Sequence, residues 1–289
     1  MMILAPLRGV TTRCFRETFA EEIAAAGFDE AVTPFVSAIH GLDPLADREL
    51  AGGPATGGMR ITPQFIGKDP VALERCLERV RDAGYDTADL NCGCPFPMVR
   101  KKGRGSGILR TPDVLARMLE VGCRAMGPGR FSAKARLGVD RPDELLALMP
   151  VFNSFPLRFL VVHARTARQM YAGDCDAAAF EAVAAAATMP IVRNGDVTLP
   201  APGKPAGNIM VGRAFLRALG ARGDSPELLA RYLEALERTM RGDRPILGAV
   251  KELVSYWRGS PRWARLWNVV KICRSTVELR MLLKGQAEF

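Results

Sequence analysis

The sequence predicts a (β/α)8 TIM-type barrel followed by a small all-helical domain, and three observations carry that expectation. Eight short β-type runs alternate with helical stretches, and eight parallel strands are the number that closes a barrel. Polar or ionisable side chains stand near the C-terminal end of almost every run, where such barrels place their sites. Beyond residue 222 the β-type runs stop and only helical periodicity remains.

In chain order the runs are "MMILAPL" (1–7), "AVTPF" (31–35), "ITPQFIG" (61–67), "TADLNCG" (87–93), "FSAKARLG" (131–138), "FLVVHAR" (159–165), "PIVRNGD" (190–196) and "NIMVGR" (208–213). Helical patterns fill 12–26, 43–50, 69–83, 111–126, 140–150 and 176–187. Asp69 before Pro70 and Thr111 before Pro112 each set a capping residue before a proline at the first helical position. The connection "VTLPAPGKPAG" (197–207) holds three prolines and two glycines, so the seventh barrel helix is expected to be missing. The tail predicts helices over 225–240, with Ser225 as N-cap, over 245–258 and over 261–284. The expected division is a catalytic barrel over 1–222 and a helical domain over 223–289.

The composition, 48% apolar and 25% charged over 289 residues, is that of a chain able to bury a sizeable core. No apolar run approaches the ~18 residues of a membrane span, and the N-terminus reads as a strand rather than a signal peptide, so a cytoplasmic protein is expected. Seven cysteines in irregular spacing argue against a disulfide framework. With two histidines and a single local C-x-C, no metal site is expected. Nothing points to a stable protein partner, and a monomer is expected.

The net charge is +9, and its location is more telling than its size. Between Arg244 and Lys284 stand nine Lys or Arg against two Glu. A second cluster, Arg100, Lys101, Lys102, Arg104 and Arg110, contains no acid. Such asymmetry points to an acidic partner, with nucleic acid ahead of a membrane surface.

The strand ends carry the candidate chemistry. Pro6, Leu7 and Arg8 follow the first run, Gln64 lies in the third, and Asn91 and Cys94 close the fourth. Lys134 lies on one face of the fifth run; inside a barrel it must pair with an anion, and the N1–C2 edge of a reduced flavin is one that fits. His163 and Arg165 close the sixth run, Asn194, Gly195 and Asp196 the seventh, and Gly212 and Arg213 the eighth. Two glycines on adjacent strands beside an arginine suit a phosphate cup. Cys94, between a glycine and a proline, reads as a thiol displayed on a fixed loop, whereas Cys92 is still within the strand and reads as packed. A displayed thiol can act as a nucleophile, for which His163 is the available base, or as a general acid that needs no partner.

With "APLRGVT" (5–11), "PQFIG" (63–67), "DLNCGCP" (89–95), "GRGSGILR" (103–110), "KARLG" (134–138), "VVHARTARQMYAG" (161–173), "RNGDV" (193–197) and "VGR" (211–213), the chain resembles the tRNA-dihydrouridine synthases along nearly its whole length. "LNCGCP" and the tail "AVKELVSYW" look most like the bacterial branch associated with position 16 of tRNA. The resemblance implies an FMN-bearing barrel reduced by NADPH, hydride delivery to C6 of a flipped-out uracil, and protonation of C5 by Cys94. It implies FMN contacts from Pro6, Leu7, Arg8, Gln64, Lys134, His163, Asn194, Gly195, Asp196, Gly212 and Arg213. It implies substrate or tRNA contacts from Asn91, Arg165 and Tyr171. For the RNA backbone we expect Lys101 and Lys102 on the loop and Lys251, Lys271 and Arg274 on the last helices. The sequence departs from the family pattern at Leu7, Arg8 and Thr12 and in the unusually cationic loop after Cys94. Two other readings compete: a flavin barrel acting on free pyrimidines or dihydroorotate, and an RNA-binding barrel without catalysis.

Overall fold

The computed structural model of the chain describes residues 1–201 and 207–285. Its strands are β1 (Met2–Leu4), β2 (Glu30–Val32), β3 (Val36–Ser37), β4 (Ala55–Thr56), β5 (Met59–Thr62), β6 (Gln64–Ile66), β7 (Ala88–Cys92), β8 (Phe131–Gly138), β9 (Leu160–Thr166), β10 (Ile191–Asn194) and β11 (Ile209–Val211). They form one sheet in the order β3-β6-β7-β8-β9-β10-β11-β1-β2-β5-β4, parallel throughout except for the β4–β5 hairpin. Because β2 and β3 are successive pieces of one run, and β5 and β6 of the next, the sheet closes into an eight-stranded barrel. The breaks in the second and third runs fall at Pro34 and Pro63, which have no N–H for a ladder. Hydrogen bonds carry the pairing across the break: Thr33 N donates to the Thr62 carbonyl at 3.0 Å, and Gln64 N to Thr33 Oγ1 at 3.1 Å.

Alternation along the strands separates two environments. Ile3, Val32, Val161, Val192 and Met210 pack together inside the barrel, while their neighbours Leu4, Ala31, Leu160 and Val162 face the helices. Another part of the interior is polar. Arg158 grips the buried Glu30 carboxylate with two hydrogen bonds of 2.8 and 2.7 Å, and Thr62 Oγ1 adds a third at 2.6 Å. A buried carboxylate needs this degree of pairing.

The barrel helices are α1 (Arg13–Thr18), α2 (Ala20–Ala25), α3 (Pro70–Asp82), α4 (Pro97–Arg100), α5 (Pro112–Met126), α6 (Glu144–Asn153), α7 (Ala177–Ala186) and α8 (Arg213–Ala221). Asp69 caps α3 as expected, accepting from Val71 N and Ala72 N at 3.0 and 3.3 Å. Thr111 does not cap α5, because its hydroxyl donates backward to the Ile108 carbonyl. The expected helix over 43–50 shrinks to a 3-10 turn, Pro44–Ala46, and that over 12–26 divides at Phe19. In the connection between β10 and β11, residues 197–201 and 207 are not helical, and 202–206 lie outside the described residues.

The tail folds as α9 (Ser225–Thr239), α10 (Asp243–Trp257), α11 (Pro261–Val270) and α12 (Thr276–Lys284). Two expectations are corrected. Asp224 takes the N-cap position of α9, and the Ser225 hydroxyl instead accepts the Trp263 indole N–H at 2.9 Å. The single helix expected over 261–284 is two, because Ser275 caps α12 through Glu278 N while the Glu278 carboxylate accepts from Arg274 N at 2.8 Å. That S-x-x-E pattern is a helix start. Tyr232 of α9 packs on Phe15 and Phe19, and Arg231 pairs with Glu22, so the tail shares a continuous core with the first barrel helices.

Candidate active site

A cavity of about 250 Å³ opens at the C-terminal ends of the barrel strands. All twelve residues that the sequence assigns to the cofactor and to Cys94 line it: Pro6, Leu7, Arg8, Gln64, Cys94, Lys134, His163, Asn194, Gly195, Asp196, Gly212 and Arg213. Asn91 and Tyr171 line it as well. The loop after β1 is fixed by Thr11, whose hydroxyl accepts from Leu7 N at 2.8 Å and donates to the Ala5 carbonyl at 2.9 Å. Arg8 projects over the Phe35 ring, 5.3 Å from its centroid.

Cys94 is buried rather than displayed to solvent, with 7% exposure, and it faces the cavity. The loop behind it closes it off. Ser106 donates to the Cys94 carbonyl from both its N–H (3.1 Å) and its hydroxyl (2.9 Å). Gly105 stands so close that a Cβ would lie 2.7 Å from Cys94 Cβ, and its φ of +57° already favours glycine. This is what the "GRGSG" stretch supplies. Burial pushes the Cys94 thiol up from its ordinary value, partly opposed by a Phe96 backbone hydrogen bond and the Arg8, Arg136 and Lys134 charges. At neutral pH the group is a thiol, suited to giving a proton and poorly suited to nucleophilic attack. Cys92 is fully buried and inert, as the sequence suggested.

Lys134 faces the interior from the middle of β8, on the same strand face as Ser132 and Arg136. Its ammonium has no hydrogen-bond or ion-pair partner among the described residues. Burial, with the like charge of Arg136, lowers its pKa to about 8. His163 is held neutral by burial and by the surrounding Lys134, Arg136, Arg165 and Arg213 charges. Arg165 can only donate, so its 3.3 Å contact makes His163 Nε2 the acceptor and puts the proton on Nδ1. Gly195 has φ +97°, and a Cβ there would lie 2.8 Å from His163 Cδ2 and 2.6 Å from Cys175 Sγ. Below it, the first turn of α8 opens on the cavity at Gly212, Arg213 and Ala214 with its unpaired N–H groups. The Asp196 carboxylate is bridged by Arg165 and Arg213, which hold it below the usual carboxylate range.

A planar anionic ring with a phosphate tail fits these residues: a lone interior ammonium, a glycine-lined neck and an open helix N-terminus beside an arginine. An FMN would be held by Lys134, Gln64 and His163 at its ring and by Gly195, Gly212 and Arg213 at its phosphate.

Two expectations change. Arg165 is 2% exposed, its guanidinium paired with Asp196, with the Gly173 carbonyl (2.7 and 3.1 Å) and with Cys175, rather than standing free at the strand end. Lys251 is half-buried, and its ammonium donates to the Cys273 carbonyl at 2.7 Å, tying α10 to the turn before α12. Lys271, which donates to Asn268, and Arg274, Lys101 and Lys102 lie on the surface as expected of them. The sequence reading passed over Asp89 and Arg136. Arg136 clamps the Gly93 carbonyl at 3.0 Å and the Thr166 and Met170 carbonyls at 3.0 and 2.7 Å, joining the Cys94 turn to the Tyr171 loop. Its signal was present, since it stands two residues from Lys134 on the same strand face. Arg217, on the second turn of α8, also lines the cavity.

A model of the dihydrouridine synthase (Dus) family matches residues 3–255. The chain belongs to the dihydrouridine synthase family. Within it, a tRNA-dihydrouridine(16) synthase of Cupriavidus necator is 28% identical over 98% of this chain and 96% of its own length. A tRNA-dihydrouridine synthase B of Vibrio cholerae is 31% identical over 69% of this chain and 61% of its own. Solved structures show the same barrel at far lower identity. The old yellow enzyme homologue from Zymomonas mobilis matches with TM-score 0.54 at 14% identity, covering 75% of this chain and 85% of that one. Morphinone reductase matches with TM-score 0.52 at 12% identity, covering 75% and 82%. This dihydrouridine synthase is thus an oxidoreductase built on a TIM barrel. Among the described residues no cluster of three His, Cys, Asp or Glu gathers as a metal site, and no helix is long and apolar enough to cross a membrane.

Proposed function

We propose that the chain reduces a uridine in the D-loop of tRNA to 5,6-dihydrouridine, using FMN and NADPH, with position 16 as the favoured site. The observation that carries this reading is the neutral Cys94 thiol facing one cavity with the unpartnered Lys134 ammonium. When bound, FMN reduced by NADPH supplies the hydride that reaches C6 of the uracil. The protein's own groups do the rest. Cys94 holds the proton for C5, Asn91 and Tyr171 face the base, and the barrel walls exclude bulk water. A uracil inside the tRNA fold must leave its stack to reach this cavity, which calls for a broad electrostatic grip. Residues 1–222 form the catalytic unit in this reading, and 223–289 the unit that orients the RNA. Position 16 is supported by the near full-length match to a relative of that name.

The test is a purified protein with bound flavin that NADPH bleaches and that unmodified tRNA reoxidises without oxygen. Flavin turnover by free uracil or dihydroorotate, without RNA, would favour the competing reading.

The cationic loop is the RNA contact best supported. Lys101 and Lys102 are exposed beside Phe96 and Met98, which are 43% and 78% exposed, so charge and an apolar stacking surface occur together. Replacing both lysines with alanine is expected to weaken tRNA binding and lower the salt slope by about 0.7–0.9 for each phosphate no longer neutralised. Titration of binding at several salt concentrations measures it, and an unchanged slope removes this loop from the interface.

Flavin retention should depend on pH through Lys134. An anion in the cavity favours the charged ammonium and raises its pKa above the ligand-free value of about 8. Affinity is therefore full below about pH 8 and falls as pH rises beyond it. Free flavin in the ultrafiltrate between neutral and alkaline pH reads this directly.

A further inference from the structure

Three buried side chains, Gln64 and Asn91 at the cavity and Asp89 behind them, form a chain of hydrogen bonds whose direction is fixed at both ends. Asp89 is fully buried, and its carboxylate accepts from the Ser132 hydroxyl at 2.7 Å and from Gln64 Nε2 at 2.8 Å. The Gln64 amide oxygen then accepts from Asn91 Nδ2 at 2.7 Å. Asn91 Oδ1 in turn accepts from the backbone N–H groups of Gly93 (3.1 Å) and Cys94 (2.8 Å). A carboxylate can only accept and a backbone N–H can only donate, so neither amide can turn over without setting like groups against each other. Burial raises the Asp89 pKa to about 6, against the Ser132 and Gln64 hydrogen bonds that oppose it, so at neutral pH it remains an acceptor.

The consequence lies on the cavity side. The Asn91 oxygen accepts twice inside the protein and the Gln64 oxygen once, and each NH2 has given one of its two hydrogens away. What Asn91, 8% exposed, still offers the cavity is one N–H and no free acceptor, while Gln64 is 0% exposed and holds Asn91 from behind. Such a wall pairs with carbonyl oxygens. An exocyclic amine set against it meets a donor with a donor. Uracil and cytosine differ at C4 in that respect.

We propose that Asp89 is a positioning residue that acts through Gln64 to fix Asn91 as a donor, and so makes the cavity select a pyrimidine edge bearing carbonyl oxygens over one bearing an amine. The inference rests on the reading that a pyrimidine enters this cavity. It assigns to Asp89, which touches neither the cavity nor Cys94, a share in substrate choice.

The experiment compares the full-length flavin-loaded protein with Asp89→Leu and Asp89→Asn. The substrate is tRNA with uridine at the target position, and the competitor is the same tRNA with cytidine there. Asp89→Leu removes the acceptor, frees Gln64 to rotate, and is expected to lower the preference for uridine by about tenfold. Asp89→Asn is expected to restore it, because an amide oxygen still accepts from Gln64 while its NH2 donates to the Ser132 hydroxyl. A merely structural role would not produce that rescue or single out the competitor. If Asp89→Leu does not accumulate as folded protein, Gln64→Leu cuts the same chain, and adding Asp89→Asn to it should change discrimination no further. Unchanged discrimination in Asp89→Leu, or equal loss in Asp89→Asn, overturns the inference alone. A wild-type protein that forms no dihydrouridine in tRNA overturns the proposed function and this inference with it.

Discussion

Cys94→Ala is expected to abolish most dihydrouridine formation, lowering turnover by about 10²–10⁴-fold, while tRNA binding is retained. The size follows from the role. A proton donor positioned against the reacting carbon is worth about that factor. His163 is held neutral with its Nε2 already accepting from Arg165. The carbonyl of residue 94 still accepts from Ser106, so the loop should keep its place in the variant. Single-turnover reduction of tRNA and filter binding, measured side by side, separate the two effects. Equal activity in the variant would leave the RNA-binding barrel without catalysis as the better reading.

Lys134→Met should move two quantities in opposite directions. Removing the Lys134 ammonium from the proposed flavin site loses a charged hydrogen bond of about 1.5–3 kcal/mol, a drop in flavin affinity of about 10- to 150-fold. The flavin-free protein, however, should become more stable at neutral pH. Its Lys134 pKa is depressed because burial and Arg136 disfavour the charged form, so the folded state below about pH 8 carries an unfavourable charge that methionine lacks. Flavin titration and thermal melts of the flavin-free protein check both signs. A variant that binds flavin normally would remove Lys134 from the cofactor site.

The parts of this molecule legible in the sequence are those that depend on local pattern. The eight runs, the placement of Gln64 and Lys134 on strands and that of Cys94 and Gly212 just past strand ends follow from periodicity and from where a barrel exposes its strands. The split α11–α12 was legible too, in the S-x-x-E that begins at Ser275. Other features depend on partners distant in sequence. Arg165 closes a strand, where an arginine is placed to meet RNA, yet the chain returns at Gly173 and Asp196 to enclose it. Lys251 counts as a positive charge in the sequence, and only the tertiary fold brings the Cys273 carbonyl to it. Cys94 reads as exposed because nothing local says that residues 105 and 106 fold back over its carbonyl. The Asp89–Gln64–Asn91 chain joins two neighbouring strands, and its register is set by the pairing of β6 with β7.

The central claim, a flavin-dependent uridine reductase acting on tRNA, is tested most directly by nucleoside analysis. Unmodified tRNA is incubated with the purified protein, FMN and NADPH, digested, and assayed for dihydrouridine, with Cys94→Ala alongside. The account predicts dihydrouridine in the D-loop from the wild type, at position 16, and almost none from the variant. A flavin-loaded, NADPH-reducible protein that leaves every uridine of the tRNA intact would contradict it.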